Sequence, residues 1–362
     1  MDFSIGEDRQ MLVDSLSRYF ADKADWKVRE AAIASEAGFD RDVWNGMAEL
    51  GVLGAMFGED AGGFGGSPFD IGVVFKEAGR ALSTGPFLAT LMAGKVLEAA
   101  GDADTLEGVI SGEKILTFAN DPAVGADGRP AGATTAAKSG DGWALTGQKG
   151  VVDYLGSADL IVVTAEIDGG TASFLVERGA SGVDTRDYPL IDGGSAGELT
   201  LSNAPAKLIS EDSDAIDAAI AAGLVATSWE AVGVMEVLRD STLDYLKTRK
   251  QFGIPIGKFQ ALQHRMATLA LEIQQAWSAA VNAAAYFDKG AATRDRYCSA
   301  AKYSIGQVGR LAAEEAIQMH GGIGMTWELP LSHYAKRMTM LGHVLGDDDL
   351  HLSRFIELGK AA

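Results

Sequence analysis

Arg249-Lys250-Gln251-Phe252-Gly253 and, about seventy residues later, Gln318-Met319-His320-Gly321-Gly322-Ile323-Gly324 are the two runs from which the rest of this chain can be read. Each stands at the end of a long helical stretch, where an ordinary cap would serve. The first brings together a guanidinium that stays charged at any working pH, an amide and an aromatic ring. The second offers an amide, an imidazole and glycines whose missing Cβ atoms let backbone N–H groups come close to a ligand. That equipment suits a diphosphate and a flat heterocycle, such as the ADP half of a dinucleotide.

Upstream of Arg249, the residues Ile216, Ile220, Val232, Met235, Leu238 and Leu243 recur on one helical face that runs to Tyr245. A second helix is predicted over about 259–287 and a third over about 294–319, closed by the glycines beyond Met319. Asp347-Asp348-Asp349 precede a last amphipathic helix over 350–358. Before residue 206 the period changes. Residues 115–119, 143–146, 160–165, 173–176 and 198–201 are short strand-like runs, separated by Gly, Asp and Pro at a spacing suited to a barrel or sandwich. Asp141-Gly142 and Asp168-Gly169-Gly170 are turn signals.

The first part of the chain returns to helical spacing, with Phe3, Met11, Leu12, Leu16 and Phe20, then Trp44, Met47, Leu50 and Val52. Between this segment and a helix over 69–82 lies the glycine-rich run Gly58 to Pro68. It reads either as a phosphate-cradling loop or as a turn between helices. No strand precedes it and no Lys-Ser/Thr follows, which favours the turn. The chain is therefore predicted to be an α+β multidomain protein. A helical domain spans 1–113, an antiparallel β barrel or sandwich 114–208, and a C-terminal four-helix bundle 209–362.

At 362 residues, with 47% apolar and 22% charged residues, the composition is that of an ordinary globular protein of two or three domains. A formal charge of −19 lacks the basic stripe that nucleic acid requires, so no nucleic-acid partner is expected. The one cysteine, Cys298, excludes an intrachain disulfide and reads as a packed thiol in a helical run. Met1 to Asp8 has no basic and apolar pattern of a secretory leader, and no apolar run reaches ~20 residues. A cytoplasmic protein with no membrane partner is expected.

The motifs resemble those of the acyl-CoA dehydrogenase superfamily along essentially the whole chain. Leu50-Gly51-Val52-Leu53-Gly54 with Glu59-Asp60-Ala61-Gly62-Gly63-Phe64-Gly65 resembles its N-terminal helical domain. Asp121-Pro122-Ala123-Val124-Gly125 resembles the Glu-Pro-x-x-Gly stretch of its middle domain. The run from Tyr245 to Gly253, followed by Ile256, Phe259-Gln260 and Gln263-His264, is the most specific match. The run from Ala316 to Gly324 with Glu328-Leu329-Pro330 is the next. The resemblance implies FAD, an acyl-CoA substrate and α,β-desaturation, with an electron-transfer flavoprotein as acceptor and a dimeric or tetrameric homo- or hetero-oligomer. A carboxylate would remove the α proton while the β hydrogen leaves as hydride. It further implies that Arg249 pairs with the FAD pyrophosphate, with Gln251 and Phe252 beside it. Gln318, Gly321 and Gly322 would contact adenosine or pyrophosphate.

Two departures stand out against that pattern. The family's Lys-x-Trp-Ile-Thr stretch, whose Trp and Thr meet the flavin ring, is here Lys149-Gly150-Val151-Val152-Asp153-Tyr154, and Thr-Glu-Pro is Asn120-Asp121-Pro122. The base is the second departure. Counting forward from Glu328-Leu329-Pro330 puts Leu345 at its place, and counting back from Arg354 puts Asp347 there. The alternative place on the earlier helix holds Leu224, and Glu230 lies six residues on, about 240° further round. Asp347 is thus the candidate catalytic base, and a helix cap made by Asp347 to Asp349 is the other reading. No metal site is expected, since His351 has no ligand cluster around it.

The tail Gly346-Asp347-x-Asp349-x-His351 is similar to that of bacterial members built from two unlike subunits. One reading makes this chain such a subunit, and a narrower one makes it a partner that contributes only the ADP half of the site. An ordinary homotetramer using Asp347, a flavin-free scaffold, and an oxidase or monooxygenase on the same fold are the remaining readings.

Overall fold

The computed structural model describes residues 6–124 and 130–360, so Phe3 and Gly125 of the motifs above lie outside the described residues. The order helices, strands, helices expected from the sequence is the order observed. First come α1 (Glu7–Lys23), α2 (Trp26–Ala34), α3 (Arg41–Glu49), α4 (Pro68–Ala81), α5 (Phe87–Ala99) and α6 (Ala103–Ile110). The strands are β1 (Leu116–Ala119), β2 (Thr135–Ser139), β3 (Gly142–Asp153), β4 (Leu160–Ile167), β5 (Gly170–Glu177), β6 (Val183–Pro189) and β7 (Ser195–Ser210). Then follow α7 (Ser213–Thr248), β8 (Lys250–Gln251), β9 (Ile254–Pro255), α8 (Gln260–Ala285), α9 (Ala291–His320), α10 (Pro330–His343) and α11 (Asp348–Lys360).

Packing groups these elements into two compact units. One comprises Met1–Trp26, Pro68–Ser83 and Leu224–Ala362, and the other Lys27–Ser67 and Thr84–Gly223. The N-terminal helices thus divide: α1 and α4 go with the C-terminal helices, whereas α3, α5 and α6 go with the strands. Close backbone approach explains the place of α4. A Cβ on Gly233 of α7 would collide with the Lys76 carbonyl, and one on Gly79 of α4 with that of Glu230. Only glycine lets these two helices touch. Arg80 and Lys76 of α4 then both reach Glu236 of α7, at 2.6 and 2.9 Å.

In the strand unit, β4-β2-β3-β7-β5 run in order and β5 pairs back with β4, which closes a barrel; β1 adds to β4 and β6 to β7. Most pairings are antiparallel, but β1 and β2 each lie parallel to β4. Closure leaves no bare edge on the five-strand ring. Its interior is filled by Leu145, Val152, Ile161, Val163, Phe174, Val176, Leu199 and Leu201, all buried. The register of β3 against β7 shifts between Lys149 and Val152, so the chain bulges at Gly150-Val151.

In the helical unit, α7 is the one described helix with the length and apolarity of a membrane span, with mean hydropathy 1.5 over its best window. That window is 89% buried inside the protein, as in the core helix of a bundle. Glu230 on α7 is buried and receives both Nε and Nη2 of Arg337 on α10, at 2.6 and 2.9 Å. Cys298 is buried in α9, and burial pushes its thiol up to about 12, which leaves it without thiolate chemistry near neutral pH.

Candidate functional site

Helix α7 ends where the Arg249 N–H donates to Tyr245 O (2.8 Å), and the chain then doubles back as the hairpin β8–β9. Its two central residues, Phe252 and Gly253, have φ of 54° and 82°. Both being left-handed matches a type I′ turn, the tightest hairpin connection. Glycine adopts this freely, whereas for phenylalanine it costs roughly 1–2 kcal/mol. The strained ring gains little burial in return. It is 90% exposed and meets Phe259 in a T-shaped contact, at 6.2 Å between centroids. Arg249 and Gln251 are exposed beside it.

Helix α9 ends at Gly321, which has φ +68°. Open space surrounds the place where a Cβ would sit on Gly321 or Gly322, so neither glycine is there to avoid a protein neighbour. Gln318 is exposed on the last turn. The structure brings this turn to the hairpin. Tyr245 on α7 stacks on His320 on α9, with centroids 4.3 Å apart and planes at 23°. His320 is buried, its Nδ1–H donates to Ala316 O (2.8 Å), and burial lowers its pKa, so the ring is neutral. Arg265 on α8 reaches Glu315 on α9 through two bonds, at 2.5 and 2.9 Å, and braces the same corner. A cavity of about 400 Å³, lined by Leu243, Leu246, Pro255 and Met266 with Lys247 and Lys258, lies beneath the hairpin.

These features fit the ADP end of FAD. Two exposed polar side chains, a fixed cation, an unburied ring and two glycines open to an approaching ligand occur together. The stack itself was not legible in the sequence, because spacing along a chain does not show which helix ends meet.

The middle-domain strip is built differently. Lys149 is buried and donates Nζ to Asn120 O (2.8 Å) and Thr164 Oγ1 (3.0 Å). Burial pulls its ammonium down to about 8. Gly150 N–H donates to Asp121 O (3.1 Å), so the two segments that depart from the family pattern are tied together. Between them Val151 sits at φ 51°, a rare conformation for a β-branched residue, and is 62% exposed. Val152 turns into the barrel core, and the Tyr154 hydroxyl accepts the Gly85 N–H at 2.9 Å. An exposed valine and Asp153 take the places where the family pattern has a ring and a hydroxyl. This half fits an isoalloxazine less well.

The glycine-rich run is a closed turn. Gly63, Phe64, Gly65 and Gly66 spend their N–H groups on the carbonyls of Gly58, Gly54, Phe57 and Ala55. No row of free N–H groups is left there to cradle a phosphate.

The connection from α10 to α11 holds Asp347. Its Oδ1 accepts the Leu350 N–H at 3.0 Å, so Asp347 caps α11. Asp348 is held by Gln307 Nε2 at 2.6 Å in a notch that only Gly306 leaves open. The buried Lys302 ammonium donates to Leu341 O (2.8 Å) and Gly342 O (3.0 Å), and the His351 Nε2–H donates to Leu345 O (2.8 Å). The other position suggested by counting, Leu345, has φ 60°. Asp347 also lines a groove of about 690 Å³ together with Arg310, Met325 and Lys336. Leu224 is buried on α7 and Glu230 is committed to Arg337.

Comparison with known proteins bears on the chain as a whole. Residues 6–112 match the acyl-CoA dehydrogenase N-terminal domain and residues 214–357 the C-terminal domain of that family. The chain is 30% identical over 338 residues to the acyl-CoA dehydrogenase IpdE2 of Mycobacterium tuberculosis, covering 91% of each. Its fold superposes on a variant of the Tcur3481-Tcur3483 steroid ACAD with a TM-score of 0.91 and 29% identity, over 99% of this chain and 100% of that one. The ChsE4-ChsE5 complex from Mycobacterium tuberculosis gives 0.91 and 26%, over 99% and 98%. With both end domains matched and a relative covered along nearly its whole length, the chain belongs to the acyl-CoA dehydrogenase family of FAD-dependent oxidoreductases.

Proposed function

We propose that this chain is one subunit of a heteromeric acyl-CoA dehydrogenase that introduces an α,β double bond into an acyl-CoA thioester. The observation that carries the proposal is the contrast between a fully equipped ADP corner and a middle strip lacking the aromatic and hydroxyl groups expected beside a flavin. Two of the structural relatives bear the names of two-protein assemblies, which supports an unlike partner. Arg249 would pair with the pyrophosphate, where a charge-assisted bond is roughly twice as strong as a neutral one. Gln251 and Gln318 would supply amide groups and Phe252 an aromatic ring, while Gly321, whose own N–H is spent on the carbonyls of Ile317 and Gln318, and Gly322 would leave the approach to the ligand open. Bound FAD supplies the acceptor that takes the β hydrogen as hydride. The remaining task is removal of the α proton, and Asp347 is this chain's candidate for it. An electron-transfer flavoprotein would be the acceptor of the electrons.

The capping bond from Leu350 to Asp347 favours a second reading, in which the base and the flavin pocket belong to the partner and this chain lends the ADP corner alone. Purification of the chain alone and with its companion, followed by flavin absorbance and anaerobic bleaching with acyl-CoA, separates the readings. Stoichiometric, reducible FAD in a homomer defeats the heteromer. A colourless protein in every assembly defeats the cofactor assignment.

A further inference from the structure

We infer that Tyr245 and His320 are positioning residues for the cofactor, a stacked pair that sets the spacing between the two turns holding the ADP end. The inference rests on the reading of that corner given above. Neither ring belongs to the groups assigned to the ligand. Tyr245 lies one helical turn before Arg249, and its carbonyl accepts the Arg249 N–H at 2.8 Å. His320 is the residue before Gly321. The two faces meet at 4.3 Å and 23°. A shift of either helix end therefore moves a ring off its partner before it moves a ligand-binding group far.

The orientation of the imidazole is itself fixed. Its Nδ1–H donates to Ala316 O at 2.8 Å, one turn back on α9, which prevents rotation about the stack. Burial keeps the ring neutral, so it stacks as a flat aromatic surface. Arg265 and Glu315 hold α8 to α9 in the same region, so the position of α9 against α8 does not depend on the stack. What the stack adds is register between the end of α7 and the end of α9.

The test is flavin retention by the protein purified with whatever chain accompanies it, read as the dissociation constant for FAD after dialysis and reconstitution. Tyr245→Ala and His320→Ala should each weaken FAD binding at least tenfold. The double variant should be little worse than either single one, because both remove the same contact. Tyr245→Phe should retain wild-type affinity, and His320→Phe, which keeps a stacking face but loses the bond to Ala316 O, should bind FAD more tightly than His320→Ala. If an alanine variant does not fold, Tyr245→Leu provides apolar volume without such a face and should show the same loss. Wild-type affinity in Tyr245→Ala or Tyr245→Leu overturns the inference. So does a loss in His320→Phe equal to that in His320→Ala, which would make the imidazole a direct ligand contact. A wild-type protein that carries no flavin in any assembly overturns the cofactor reading itself, and with it this inference.

Discussion

The corner formed by the ends of α7 and α9 and the strip along β3 both contain a residue forced into the left-handed region, and the two differ in what surrounds it. At the corner, Phe252 is strained and exposed, yet it stands beside Arg249, Gln251 and two open glycines. On the strip, Val151 is likewise strained and exposed, but its neighbours Lys149 and Gly150 are tied to the loop at Asn120 and Asp121. Strain that persists next to unused binding groups points to a ligand. Strain beside committed groups, at a register shift of β3 against β7, points to a bulge of the barrel itself.

The sharpest way to break this comparison is Asp347→Asn. Asparagine caps a helix as well as aspartate does, so α11 should remain intact. Loss of a general base should cut acyl-CoA-dependent dye reduction by roughly 10²–10⁴-fold. Unchanged turnover moves the base to the partner chain. Arg249→Gln comes next. Removing a charged bond to a phosphate, worth about 1.5–3 kcal/mol, should weaken FAD binding by roughly 10–100-fold by fluorescence titration, without lowering the melting temperature of the apoprotein.

Lys302→Met probes the loop that carries Asp347. Burial pulls the Lys302 ammonium down to about 8 in the folded protein, against an ordinary value of 10.5. Between those values the folded state binds fewer protons than the unfolded one, so this group makes stability rise with pH. Unfolding free energies from urea titrations should therefore rise from pH 8 to pH 10 in the wild type relative to Lys302→Met, by on the order of 1–3 kcal/mol. Parallel profiles would show that the ammonium is not desolvated. The smallest effects separate the two strained residues. Phe252→Gly and Val151→Gly should each stabilise the apoprotein by about 1 kcal/mol in thermal melts. Only Phe252→Gly should also lose FAD affinity, and equal losses from both would erase the distinction between the corner and the strip.

Much of the fold was readable because long apolar periodicities leave few alternatives. The faces of α7, α8 and α9 and the runs of β1, β4 and β5 fall close to where hydrophobic spacing puts them. Strands β2 and β6 gave no such signal. Their residues, such as Lys138, Arg186 and Asp187, face solvent, so the alternation that marks a half-buried strand is missing. The glycine-rich run illustrates another gap. Its composition suits a phosphate loop and a tight turn equally, and only the hydrogen bonds of Gly63 to Gly66 decide for the turn.

The sequence by itself determined the family and the order of helices and strands, and it singled out the candidate corner at Arg249 and Gln318, because these depend on local spacing and on motifs contiguous in the chain. Tertiary structure decided what contiguity cannot carry. It placed His320 on Tyr245 across 75 positions of sequence, gave the Asp347 carboxylate a helix to cap, and turned Val151 outward at a register shift. Each of these depends on which helix ends and strands meet in space. That is set by the packing of surfaces far apart in the chain, and no local pattern records it.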